Sequence, residues 1–126
     1  METAMSGSLR QLAYAQAAAF VQTLDGRDPV ALQRDWGLSS AVADELIEML
    51  DSYFAADQVL SLTPLAQACV PGKGGRPAGD VYVTDAGPLG LECLLLADGK
   101  PGEAVLHLEM SGHDGALRLH YRYIGS

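Results

Sequence analysis

The sequence predicts an α+β fold, with N-terminal helices packed on one face of an antiparallel sheet of four to five strands. Three observations carry this expectation. Up to about residue 56 the apolar residues recur at helical spacing. From Val59 onward they alternate with a period of two. Short Gly-, Pro- and Asp-rich runs punctuate that second half. With 126 residues, 48% of them hydrophobic, the chain has enough apolar surface for a single core without metal or disulfide staples.

Residues 1–7 read as a flexible tail and 8–126 as one domain. Ser8 followed by Gln11 forms a capping box that opens a helix over 8–24, with Leu9, Leu12, Ala13, Phe20 and Leu24 as its core stripe and Gly26 as its stop. Asp28 caps a short second helix over 29–36. Pro29 sits in its first turn, where a missing N–H costs nothing, and Gly37 ends it. Ser39 or Ser40 caps a third helix over 40–56. On that helix Val42, Leu46, Ile47, Met49, Leu50, Tyr53 and Phe54 share one broad apolar face. Asp44, Glu45, Glu48 and Asp51 gather opposite, with no lysine or arginine among them.

Strands are expected over 59–63, 80–84, 89–97, 104–111 and 116–124, with Pro64 closing the first. The last three form a meander through the Asp98–Gly102 turn and the Asp114-Gly115 turn. Side-chain parity assigns Leu91, Cys93, Leu95, Leu106, Leu108, Met110, Leu117, Leu119, Tyr121 and Tyr123 to the face under the helices. The opposite face then carries Glu92, His107, Glu109, Arg118, His120 and Arg122. It also carries an apolar patch of Leu94, Leu96, Val105 and Ile124, which suits a dimer contact or the cover of a 66–78 loop.

Formal net charge is −8, so the chain repels phosphate backbones and anionic lipid and is drawn to basic partners. Leu32 to Ser39, running into the third helix, imitates a helix-turn-helix, but aspartate and glutamate stand where a recognition helix brings basic or amide side chains. The two cysteines, Cys69 and Cys93, lack metal-ligand spacing, and Cys93 falls in a core register where a thiol acts as a small hydrophobe. Polar residues interrupt the alanine-rich run after Arg10, which argues against a signal peptide, and no apolar stretch reaches the length of a membrane span. A cytoplasmic location is the expectation.

No reaction motif emerges. The 71–77 glycine-rich loop with Lys73 and Arg76 lacks phosphate-loop spacing. His107, His120 and Glu109 lie near one another across the last hairpin, but cross-strand polar pairs on a wet sheet face give the same pattern, so no metal site is assigned. Asp80, Tyr82 and Asp85 are placed to line a cavity between helices and sheet, yet no spacing selects them as an acid–base set. No catalytic residue and no cofactor is expected.

Three segments resemble an uncharacterised family of small bacterial domains. They are Leu38-Ser39-Ser40 leading to Val59-Leu60-Ser61-Leu62-Thr63-Pro64-Leu65, then Gly79 to Asp85, then Gly99 to Leu108 with its closing strand. Leu91 stands where such relatives carry tryptophan, and Gly102-Glu103-Ala104-Val105 replaces a serine-aspartate pair. The resemblance implies a cystatin-like or NTF2-like arrangement, a curved sheet wrapped around helices, and, with it, a toxin-neutralising immunity protein. On that reading the partner is a cognate toxin or another basic protein, met by Asp44, Glu45, Glu48 and Asp51. Two alternatives stand beside it: a small-molecule-binding protein or isomerase with Tyr121, Tyr123 and Phe54 lining a pocket, and a homodimeric structural module.

Overall fold

The computed structural model describes residues 7–63, 79–83, 89–111 and 118–125, with the side chains of 7–9, 80 and 83 left aside. Three helices, α1 (Gly7–Gly26), α2 (Pro29–Trp36) and α3 (Ser40–Tyr53), precede five strands: β1 (Leu60–Leu62), β2 (Gly79–Val83), β3 (Leu89–Ala97), β4 (Lys100–Ser111) and β5 (Arg118–Gly125). The helices pack against one side of an open antiparallel sheet, an α+β architecture. None of the described helices is long and apolar enough to cross a membrane.

Local chemistry accounts for the helix ends. The Asp28 carboxylate accepts the N–H groups of Val30 and Ala31 at 2.9 and 3.4 Å, satisfying donors that the first turn leaves open. Gly37 closes α2 at φ 71°, a conformation in which a Cβ would be strained. Ser39 Oγ accepts the Val42 N–H at 3.1 Å. Two ends differ from expectation. Arg27, rather than Gly26, takes the left-handed conformation after α1 (φ 49°). α3 stops at Tyr53, where Phe54 turns extended to bury its ring while its N–H still bonds the Leu50 carbonyl.

On α1 the core stripe is Ala13, Tyr14, Ala17, Phe20, Val21 and Leu24. Leu12 is 48% exposed, because a one-residue step turns the helix by about 100° and carries it off that stripe. Trp36 of α2 packs edge-on against Phe20 and donates its indole N–H to Thr23 Oγ1 at 3.0 Å, which fixes α2 to α1.

The sheet runs β1/β2–β3–β4–β5. β1 and β2 lie end to end along one edge of β3, with Leu62 opposite Leu95 and Gly79 opposite Cys93. A two-residue Asp98-Gly99 turn, both residues at positive φ, joins β3 to β4 and matches the strands' right-handed twist. Asp98 also holds β1: its N–H bonds the Val59 carbonyl at 2.8 Å and its carboxylate accepts the Val59 N–H at 3.0 Å. β4 therefore starts at Lys100, earlier than alternation alone suggests, and the register slips around 102–104.

A second irregularity changes which residues face the helices. Leu108 pairs with Tyr121, but His107 pairs with Tyr123, so Arg122 is an extra residue in β5. Such a bulge inverts side-chain parity beyond it. Ile124, expected on the outer patch, is 4% exposed in the core. Tyr123, expected in the core, is 54% exposed on the outer face. The remaining inward residues within the described strands stand as expected: Leu91, Cys93, Leu95, Leu106, Leu108, Met110 and Leu119 are buried and Tyr121 packs against them. The 66–78 loop, Cys69, Lys73, Arg76, Asp85, His113, the Asp114-Gly115 turn and Leu117 lie outside the described residues.

Candidate functional site

α3 divides its residues sharply. Ala43, Leu46 and Leu50 are in the core, while Asp44, Glu45, Glu48 and Asp51 are all exposed. Of the four, Asp51 already has a structural task. It pairs with Arg27 Nε at 3.3 Å, and the same guanidinium, only 13% exposed, donates to the carbonyls of Asp25 and Ala55 at 3.3 Å each. Arg27 thus latches the end of α1 to the end of α3. Among the described residues no cationic side chain forms an ion pair with Asp44, Glu45 or Glu48. These three carboxylates form an uncompensated negative strip. Its border lies against β5: burial pushes the Tyr121 hydroxyl above its ordinary pKa of 10, and the nearby Glu45 charge adds to the shift.

The outer sheet face lies on the opposite side of the fold. One rung across it sets Asp80, Glu92, His107 and Tyr123 side by side in register, the next sets Tyr82, Gly90, Glu109 and His120. The His107 and Tyr123 rings stack with centroids 4.1 Å apart and planes 13° off parallel. Tyr82 lies across Gly90 so closely that a Cβ there would sit 2.4 Å from the ring, and its hydroxyl donates to Glu92 at 3.4 Å. Gly90 is what lets this ring lie down. Ser111 Oγ and His120 Nε2 are 2.8 Å apart, and Arg122 reaches Glu109 at 4.0 Å. Leu94, Leu96 and Val105 are partly exposed at the other end of the same face.

Several expected groupings come apart. Tyr82 faces away from the helices, because Val81 takes the inward position on β2, so it lines no cavity beneath them; the side chain of Asp80 lies outside those described. Tyr121, Tyr123 and Phe54 do not converge: Tyr121 packs against Phe20, Tyr123 lies on the other face, and Phe54 meets Gly102. The patch of Leu94, Leu96 and Val105 keeps its place but loses Ile124 to the core and gains Tyr123. No group of three His, Cys, Asp or Glu among the described residues is arranged to hold a metal ion. The bulge brings His107 against Tyr123 and leaves His120 bonded to Ser111, a rung away.

One feature escaped the sequence reading. An open groove of about 740 Å³ runs between α1 and β1, lined by Tyr14, Ala15, Ala18, Val21, Leu60 and Leu62. The Asp25 carboxylate accepts the Leu60 N–H at 2.8 Å and the Tyr14 hydroxyl donates to the Thr63 carbonyl, so polar side chains of α1 hold both ends of the strand. Small residues at positions 15 and 18 are the only sequence trace of it, and they are indistinguishable there from ordinary helix formers.

No protein-family model, no curated protein and no solved structure matches this chain. The immunity-family reading therefore rests on the residues themselves.

Proposed function

We propose that this chain is a non-catalytic binding protein that docks a basic protein partner on the exposed side of α3, and that it serves as a bacterial immunity protein against a cognate toxin. The observation that carries this reading is the strip of Asp44, Glu45 and Glu48: exposed, on one side of a helix whose other side is anchored in the core, and unmatched by any cation among the described residues. Like charges at helical spacing repel, at a cost of about 0.2–0.5 kcal/mol per i,i+4 pair, and α3 carries Asp44 and Glu48 at that spacing. A strip that costs stability is accounted for if a positive surface meets it. Many toxins that act on nucleic acids or nucleotides have basic active sites, and an acidic plug reaches such sites quickly under electrostatic steering. Asp51 is the weakest contributor of the expected four, since Arg27 already engages it.

Co-expression tests the reading. The proposal predicts that a secreted toxin is encoded beside this chain, and that its C-terminal domain arrests growth when made alone and is tolerated when this chain is made with it. Continued arrest in the presence of soluble, folded chain contradicts the proposal.

A second reading has the α1–β1 groove in its favour: a small apolar ligand would sit against Ala15, Ala18 and Val21. Its test is an environment-sensitive apolar dye, whose binding should vanish in Ala18→Trp. Equal binding by that variant would remove the groove from consideration.

A further inference from the structure

We infer that the outer face of the sheet docks a second copy of this chain, the two sheets packing face to face about a twofold axis that runs along the strands between β3 and β4. The inference stands on a different face from the α3 strip and does not depend on it. Two properties of the face single out this partner and this axis.

The first is apolar. Leu94, Leu96 and Val105 cluster where β3 ends and β4 begins, while the polar rungs of Glu92 and Glu109 lie toward the other end. An axis along the strands preserves position along them, so it lays the apolar end of one copy on the apolar end of the next. An axis across the strands would lay that apolar end on Glu109 and His120.

The second is charge. Across the face, β3 contributes the acid Glu92, whereas β5 contributes Arg118, His120 and Arg122 and no acid. The same axis turns β3 of one copy onto β4 of the other and the β2 margin onto the β5 margin. Glu92 then meets the side on which the second copy's Arg122 reaches over β4. The arrangement that matches apolar to apolar also matches acid to base, as an isologous interface requires. Tyr123, carried outward by the bulge, adds an exposed ring of the kind enriched at interfaces. Four strands ~4.8 Å apart and about eight residues long present roughly 500 Å² in projection. With side-chain relief, that face is of the order of the ~800 Å² per partner that stable dimers bury.

Sedimentation of the full chain between ~10 µM and ~1 mM should show a monomer–dimer equilibrium or a dimer throughout; a monomer at every concentration overturns the inference and leaves this face to a different protein. Val105→Glu, which puts a charge at the centre of the patch, should raise the dimer Kd at least ~30-fold; a dimer indifferent to it lies on another surface and also overturns the inference. Glu92→Arg and Arg122→Glu should each weaken the dimer by about 5- to 10-fold, and the double variant should recover to within about 3-fold of the wild type. A double variant weaker than either single one contradicts the proposed axis. If Val105→Glu fails to fold, as its circular dichroism would show, this charge swap carries the test.

Discussion

The two exposed sides of this fold are built on opposite rules. On α3 all four exposed charges are negative, and one of them, Asp51, is drawn into the Arg27 latch. On the outer face of the sheet both signs occur, and neighbours settle one another: Arg122 with Glu109, Ser111 with His120, Tyr82 with Glu92, His107 with Tyr123. The helical side therefore keeps an unsatisfied field, while the sheet side is nearly neutral and shaped by rings. A long-range field suits recognition of an oppositely charged partner. A paired and partly apolar face suits close packing against its own kind.

The comparison depends on the β5 bulge, so the largest predicted effect breaks or upholds it there. Ile124→Ala should cost about 2–4 kcal/mol in chemical denaturation, because its side chain is 4% exposed among core residues. Tyr123→Ala, at a side chain 54% exposed on the outer face, should cost about 1 kcal/mol or less beyond any effect on self-association. Simple alternation along β5 gives the reverse order, so that order would refute the register.

The latch ranks next. Arg27→Met should cost about 1–2 kcal/mol, since the nearly buried guanidinium holds Asp51 and two carbonyls that the thioether cannot satisfy. A loss below a few tenths would mean that α1 and α3 are held by packing alone.

The smallest effect has the opposite sign. Glu48→Lys places a cation between Asp44 and Asp51, turning repulsion into two attractive pairs at i−4 and i+3. It should stabilise the free chain by about 0.3–1 kcal/mol at low salt, with the gain fading as salt rises. A destabilised variant would show that Glu48 has a structural role that its exposure does not suggest.

Tyr121 provides a pH test of the border between α3 and β5. Its hydroxyl pKa is raised in the folded chain, first by burial and then by Glu45, so the unfolded chain ionises first as pH rises. The stability Tyr121 contributes is full below about pH 10 and is lost above it as the unfolded state gains charge. Tyr121→Phe should flatten that alkaline decline in thermal melts; an unchanged decline would place its cause elsewhere.

How much of this was legible beforehand depends on the range of the interactions. Asp28, Pro29, Gly37 and Ser39 act within one turn of their own position, and each does what its chemistry dictates. The acidic strip of α3 follows from the helical period alone. The sheet was legible wherever alternation is unbroken, as along β3. It failed at Arg122, because a bulge is decided by how two strands pair and leaves no trace in the spacing of one of them. The sharing of one β3 edge by β1 and β2 was hidden for the same reason: partnership between residues separated by a long stretch of chain is a property of the assembled sheet. The candidate site divides likewise. Asp44, Glu45 and Glu48 were readable as exposed acids, whereas the exchange of Ile124 for Tyr123 on the outer face and the groove beside β1 required the fold.

The most direct measurement of the proposed function is the salt dependence of the association rate between this chain and the basic toxin domain proposed as its partner. Steering by the α3 strip predicts a wild-type rate that falls at least ~10-fold between ~50 and ~500 mM salt, and a Glu45→Lys/Glu48→Lys variant that is slow and nearly indifferent to salt. Equal rates and equal salt slopes for the two proteins, with the variant folded, would contradict the assignment of α3 as the docking surface.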